Sequence, residues 1–330
     1  MKYEAIIGLE IHAELETRSK MFCSCPVVDV LTAAPNTAVC PICSGMPGTL
    51  PVLNKRAVEL GIKVGLALQC EISPFSFFER KNYFYPDLPK GFQISQYEQP
   101  LARNGQILIR TSAGEKRVRI RRVHLEEDTG KLTHIEKGET NYSLVDLNRA
   151  GVPLLEIVSE PDLNSAEEVR AYASSLRSLL RYLGVNSGDM QKGVLRIEPN
   201  ISVRPSGSEV LGTRTEIKNL NSFRALERSV DFEIDRQTAL LQKGGNVRQE
   251  TRGWDESQSE TYTQRTKEEA DDYRYFPEPD LPPLQIDQNW LLEIQKEMVE
   301  LPAAKIIRFQ KDYLLGAYDA AVLAEERATA

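Results

Sequence analysis

Apolar and polar residues alternate most clearly at the start of the chain. From Ile6 to Leu15, Leu9, Ile11 and Ala13 share one face and Glu10, His12 and Glu14 the other, which predicts a half-buried strand. Arg117 to Val123 alternates likewise, with Arg117, Arg119 and Arg121 opposite Val118 and Ile120, and runs straight into His124-Leu125-Glu126-Glu127-Asp128. A basic strand face is usually solvated, but one that ends in an acid cluster is a candidate for phosphate contact. Strict alternation groups His124, Glu126 and Asp128 and puts Glu127 opposite. A bulge would reverse that, so spacing leaves open which acid faces a site. Beyond a Gly151-Val152-Pro153 turn comes Leu154-Leu155-Glu156-Ile157-Val158, an apolar strand with one carboxylate. Burying that carboxylate is costly unless it is paired or bound to a metal. Leu195 to Arg204 reads as a strand with Arg196, Glu198 and Asn200 on its polar face, and Thr213 to Lys218 repeats the pattern with Arg214, Glu216 and Lys218.

Helical periodicity marks Lys55 to Gln69, weakened by two glycines, and Ser165 to Leu183, which opens on a Ser165/Glu168 capping box and stops at Gly184. A third helix, Phe223 to Lys243, is capped by Ser222 and stopped by Gly244-Gly245. Between strands lies the loop-rich FFERKNYFYPDLPKGFQISQYEQP, where Lys81 and Lys90 sit among aromatics that either stack a base or pack as core. These elements predict an α+β fold: a largely antiparallel sheet, helices on one side, and a charged face open as a cradle on the other. With no glycine-rich phosphate loop, a nucleotide there must be held by metal and side chains. The stretch DDYRYFPEPDLPPLQID reads as a boundary between a catalytic domain, residues 1–286, and a helical segment, 287–330. Short helices are expected at Gln288 to Val299 and Pro302 to Leu315, and the end at EERATA reads as truncation of a helical domain.

Composition narrows this reading. The chain has 330 residues, 41% hydrophobic and 27% charged, with no apolar run of membrane-spanning length; cytoplasmic residence is the expectation. A net charge of −7 argues against indiscriminate coating of nucleic acid. Five cysteines, four of them clustered, fit a metal in a reducing compartment better than disulfides. Cys23, Cys25, Cys40 and Cys43 form C-x-C, fourteen residues, then C-x-x-C, the spacing of a structural zinc knuckle, whereas Cys70 reads as a buried small side chain. Only three histidines occur, and His12 and His124 both sit beside carboxylates on predicted strands, a donor set suited to magnesium or manganese.

Several long motifs carry a resemblance: GLEIHAEL, CPICSGMPGTLPVLNKRAVELG, RKNYFYPDLPKGFQISQYEQP, HLEEDTGK, YSLVDLNRAGVPLLEIVSEPD, EIKNLNSF, QETRGWDE and DDYRYFPEPDLPPL. Together they resemble, in order and over almost the whole chain, the B subunits of the aspartyl/glutamyl-tRNA amidotransferases. The resemblance implies a cradle related to glutamine synthetase and the guanidino kinases, and a heterotrimer with a glutaminase A subunit and a small C subunit. It implies ATP-dependent phosphorylation of the side-chain carboxylate of Glu-tRNA(Gln) or Asp-tRNA(Asn), followed by amidation with ammonia from the A subunit. By position in the matched motifs, His12, Glu127 and Glu156 correspond to magnesium ligands, with Glu10 beside them, and the four cysteines to a zinc site. Glu127 and Glu156 are thereby the candidate catalytic acids, and Lys81, Lys90, Arg196 and Asn200 the candidate nucleotide contacts. Arg196-Ile197-Glu198-Pro199-Asn200 departs from the family pattern. Pro199 removes a backbone donor, which predicts an edge or a bulge there and puts a role for Glu198 in doubt. Two other readings are a metal-dependent ATP ligase acting on a free carboxylate and a non-catalytic tRNA-binding subunit.

Overall fold

In a computed structural model, residues 2–137, 140–266 and 273–330 are described. Among them, nine strands join into one sheet: β1 (Tyr3–Glu14), β2 (Glu71–Ile72), β3 (Ala102–Thr111), β4 (Gly114–Glu127), β5 (Pro153–Ser159), β6 (Leu195–Pro205), β7 (Thr215–Lys218), β8 (Glu250–Asp255) and β9 (Glu260–Thr266). Their order is β9-β8-β7-β6-β1-β5-β4-β3-β2, antiparallel throughout except where β7 and β8 run parallel. Strand β1 is central, so its polar face meets those of β5 and β6 directly.

Three helices cover the apolar face: α1 (Lys55–Ala67), α2 (Ala166–Tyr182) and α3 (Phe223–Gln242). Leu9, Ile11, Leu125, Leu155 and Ile197 from the sheet share one buried cluster with Val58 and Ile62 of α1, Val169 and Leu176 of α2, and Leu226 and Val230 of α3. The expected caps are present, Ser165 accepting from the Glu168 amide and Ser222 from the Ala225 amide. The glycines that weaken α1 as a helix let it approach the sheet. A Cβ at Gly61 would stand 2.6 Å from Leu101 and at Gly65 2.7 Å from Ile72.

The parity of β4 switches midway. Val118 and Ile120 are buried in the helix-covered core, but so are Val123 and Leu125, which strict alternation would put on opposite faces. Beside β5, Arg122 pairs with Val158 while Ile120 pairs with Ser159, leaving Arg121 over as a bulge. From there on, Arg122, His124 and Glu126 point to the polar face. The bulge is thus what aims the acid cluster.

Pro199 corrects an expectation. It lies in an internal strand, opposite Leu9, and the register from β1 to β6 runs through it unbroken. The pairing with β7 covers only Asn200 and Ile201 and stops short of Pro199, so the ladder with β1 is the one that continues past it.

Short strands Glu79–Asn82 and Phe92–Ser95, in the stretch read as loop, join Phe276–Pro277, in the stretch read as a boundary, in a small ribbon. After them, α4 (Gln288–Lys296) adds Ile294 to the main core, while α5 (Pro302–Asp312) and α6 (Ala317–Leu323) enclose a separate cluster of Phe309, Ala320 and Ala324. Among the described residues no helix is long and apolar enough to cross a membrane.

Candidate active site

Register across four strands builds the site. Glu156 on β5 stands between His124 on β4 and His12 on β1, and His12 in turn faces Arg196 on β6. His124 Nε2 lies 3.1 Å from Glu156 Oε2 and His12 Nε2 3.6 Å from the same oxygen. Glu126, one pleat along from His124, puts an oxygen 3.7 Å from His12 Nε2 and accepts from the Ser95 hydroxyl at 3.2 Å. Burial pushes the Glu156 carboxyl up, but the charge of His124 and the hydrogen bond from His12 outweigh it and hold the group well below the usual carboxylate range. Burial likewise opposes charging His12, yet the hydrogen bond and charge of Glu156 raise its imidazole to about 9.

His12, Glu126 and Glu156 each offer a donor atom, and all three lie within 4.8 Å of one another. An octahedral ion with oxygens near 2.1 Å keeps neighbouring donors roughly 3 Å apart and opposite ones roughly 4 Å, so the set fits a small divalent cation. Lys81 of the ribbon is held 4.9 Å from the Tyr273 ring and makes no ion pair among the described residues. Burial lowers its affinity for a proton, but Glu126 and then Glu156 raise it beyond the ordinary lysine range.

One row along the same face lies a second acidic group, Glu10, Glu198 and Glu216, also within 4.8 Å. Lys218 Nζ reaches Glu198 at 2.9 Å and Glu216 at 3.3 Å, and Asn200 donates to Glu10 at 3.1 Å. Burial, and then the charges of Glu156, Glu216 and Glu198, raise the Glu10 carboxyl.

Lining one cavity with Lys90 and Glu127, Cys23 and Cys43 converge with Cys25 and Cys40. Cys43 Sγ is 4.0 Å from Cys25 Sγ and 3.9 Å from Cys40 Sγ, and all four sulfurs lie within 4.8 Å. Four thiolates at ~2.3 Å from one ion stand ~3.8 Å apart, so the set can hold a metal ion. Lys20, fully buried, donates to Cys43 Sγ at 3.5 Å and to the Leu147 carbonyl at 3.1 Å. A hydrogen bond from Cys23 holds the Cys43 thiol at about 4.

The chain matches the model of the GatB/GatE catalytic domain family over residues 5–292. It is 55% identical over 327 residues to the B subunit of the aspartyl/glutamyl-tRNA(Asn/Gln) amidotransferase of Moorella thermoacetica, covering 99% of this chain and 68% of that one. It is also 56% identical over 330 residues to the B subunits of the same name from Caldicellulosiruptor saccharolyticus and Thermomicrobium roseum, again 68% of their length. The chain belongs to the GatB/GatE catalytic domain family.

For this family member the structure corrects two expected placements. Glu127 does not join His12 and Glu156. Being across the strand from Glu126, it turns away, accepts from the Ile94 amide at 3.0 Å and pairs with Lys90. Glu10 stands with Glu198 and Glu216, because register sets it opposite Glu198. Lys90 is therefore committed to Glu127, and Arg196 to Asp128 at 2.9 Å. Arg119 and Arg121 form surface pairs with Asp162 and Glu160 rather than an open basic face. Glu126 and His124 were not assigned a place in the expected site, and Glu216 and Lys218 were missing from it. Alternation pointed to the first two, but only the cross-strand register brings all four to the same face.

Proposed function

We propose that this chain performs the synthetic half of tRNA-dependent amidation. The side-chain carboxylate of glutamate on tRNA(Gln), or of aspartate on tRNA(Asn), attacks the γ-phosphorus of ATP and ADP leaves. Ammonia then attacks the acyl carbon of the acyl-phosphate, inorganic phosphate departs, and loss of a proton leaves the amide. The observation that carries the reading is the convergence of His12, Glu126 and Glu156, whose carboxylates also act on Lys81, in a chain homologous to amidotransferase B subunits. His12, Glu126 and Glu156 are the residues that would hold magnesium, which when bound draws charge off the phosphoryl oxygens. Lys81 neutralises the transferring group, and His124 fixes the orientation of Glu156. Asn200 and Arg196, engaged with Glu10 and Asp128, shape the face and are weaker candidates for direct nucleotide contact.

The same reading takes residues 1–286 as a catalytic cradle, akin to glutamine synthetase and the guanidino kinases, and 287–330 as helices that contribute to tRNA binding. It takes zinc at the four cysteines as structural, a glutamine-hydrolysing A subunit and a C subunit as partners, and the cytoplasm as the compartment. In the assembled complex, Glu156→Gln should cut ATP-dependent acyl-phosphate formation by at least ~10- to 100-fold while glutaminase activity persists. Unchanged turnover per folded molecule, with folding weakened by about 3–5 kcal/mol, would instead make Glu156 a structural ion-pair partner and overturn the proposal. ATP consumption without misacylated tRNA would point to a free carboxylate as substrate.

A further inference from the structure

The bulge that aims His124 and Glu126 also delivers a third side chain to the polar face. Arg122 stands opposite Val158, one pleat from His124, at the flank of the metal-type cluster. Its neighbours Arg119 and Arg121 are each tied to an acid, but Arg122 has no ion pair or hydrogen bond among the described residues, and its Nε is buried without a partner. The guanidinium lies 5.4 Å from the Tyr97 ring centroid, and Tyr97 stacks on Tyr275 at 4.4 Å with the planes 14° apart. An arginine held over an aromatic ring has its fork of N–H donors partly oriented in advance, which lowers the side-chain entropy cost when an anion arrives.

Carboxylates are plentiful on this face, with Glu10, Glu126, Glu156 and Glu198 all present, yet none is bonded to Arg122. A buried guanidinium donor left without an acceptor is costly unless a ligand supplies one. We propose that Arg122 is a phosphate-oxygen subsite of the catalytic face, held in place by Tyr97 and acting alongside Lys81. The inference rests on the function proposed above. The phosphoryl oxygens belong either to ATP or to the 3′-terminal backbone of the tRNA, and the guanidinium fork suits both.

Steady-state amidation by the assembled complex, titrated separately in ATP and in misacylated tRNA, tests it with Arg122→Gln, Arg122→Lys and Tyr97→Ala. Arg122→Gln should raise KM about 10-fold or more for one of the two substrates, as expected for a lost charged hydrogen bond. A rise in the ATP titration assigns the nucleotide, and a rise in the tRNA titration assigns the backbone. Arg122→Lys should recover only part of the loss, since an ammonium keeps the charge without the fork. Tyr97→Ala should raise the same KM by less. Both KM values within twofold of wild type in a folded Arg122→Gln complex would overturn the subsite, whatever happens to kcat. If Arg122→Gln does not fold, Arg122→Lys decides alone, by full recovery of both KM values against it. Wild-type complex that fails to amidate would instead sink the parent function, so the two failures are distinguishable.

Discussion

The cysteine knuckle and the charged sheet face are both clusters of metal-type donors, but they are assembled in opposite ways. The knuckle draws its donors from residues 23 to 43, within one loop whose turns bring C-x-C and C-x-x-C together, and a single buried cation, Lys20, offsets their charge. The face draws His12, Glu126 and Glu156 from three strands far apart in sequence, and its charge is balanced by the imidazoles of His124 and of His12, itself a candidate ligand. The first can be recognised from spacing. The second exists only if every strand keeps its register, so one bulge decides which residues take part.

The sharpest way to break this comparison is to exchange the two adjacent acids. We expect Glu126→Gln to lower amidation by about 100-fold with thermal stability close to wild type, because it strips one donor from the candidate magnesium set. Glu127→Gln should do the reverse. It leaves the Lys90 ammonium, only 15% exposed, without its partner, and should cost about 3–5 kcal/mol of stability with a smaller effect on the chemistry of the protein that remains folded. Parallel activity and thermal-melt measurements on the two variants decide the matter. Equal loss of activity with equal stability would return Glu127 to the ligand set.

That exchange marks where the sequence stops being informative. Strands β1, β4, β5, β6 and β7, the capped helices α2 and α3 and the four-cysteine pattern are legible because each depends on local periodicity, a cap or a short loop, whereas β2, β3, β8 and β9 carried no such signal. The polar faces of β1 and β6 are legible as well. Choosing between Glu126 and Glu127 is not, since the bulge at Arg121 shows only as a pairing between strands. Resemblance by position favours Glu127, whereas alternation groups Glu126 with His124, as the structure does. Pro199 misleads for a related reason: a proline is excluded from an internal strand only where its amide would have donated, and sequence does not reveal that side.

The knuckle offers a second test. Cys43→Ser removes the sulfur nearest Lys20 and leaves that buried ammonium facing a weaker partner. If the site holds structural zinc, bound metal should fall from about one equivalent towards zero and Tm should drop by several degrees, with activity of the folded fraction largely kept. Undiminished zinc by elemental analysis, or an unchanged melt, would remove the structural role assigned to the loop.

The last effect, spread over several pH units, distinguishes the two regions by pH. Glu14 follows His12 on the polar face of β1, and its carboxyl is raised to about 8, first by burial and then by the charge of Asp128, with Arg196 and Arg149 only partly offsetting them. The unfolded chain gives this group an ordinary value near 4.5, so the folded state binds the proton more tightly. Its contribution to stability is therefore fully present below about pH 4.5 and is lost as pH rises through about 8, by at most about 1.4 kcal/mol per pH unit. Glutamine cannot ionise, so Glu14→Gln should flatten that part of the decline. Tm measured from pH 5 to 8 should fall less steeply for the variant, which becomes the more stable protein at the alkaline end. Parallel curves for the two proteins would show that Glu14 is ionised throughout, with Arg196 and Arg149 absorbing its charge, and that the face stores less repulsion than its crowding of acids implies.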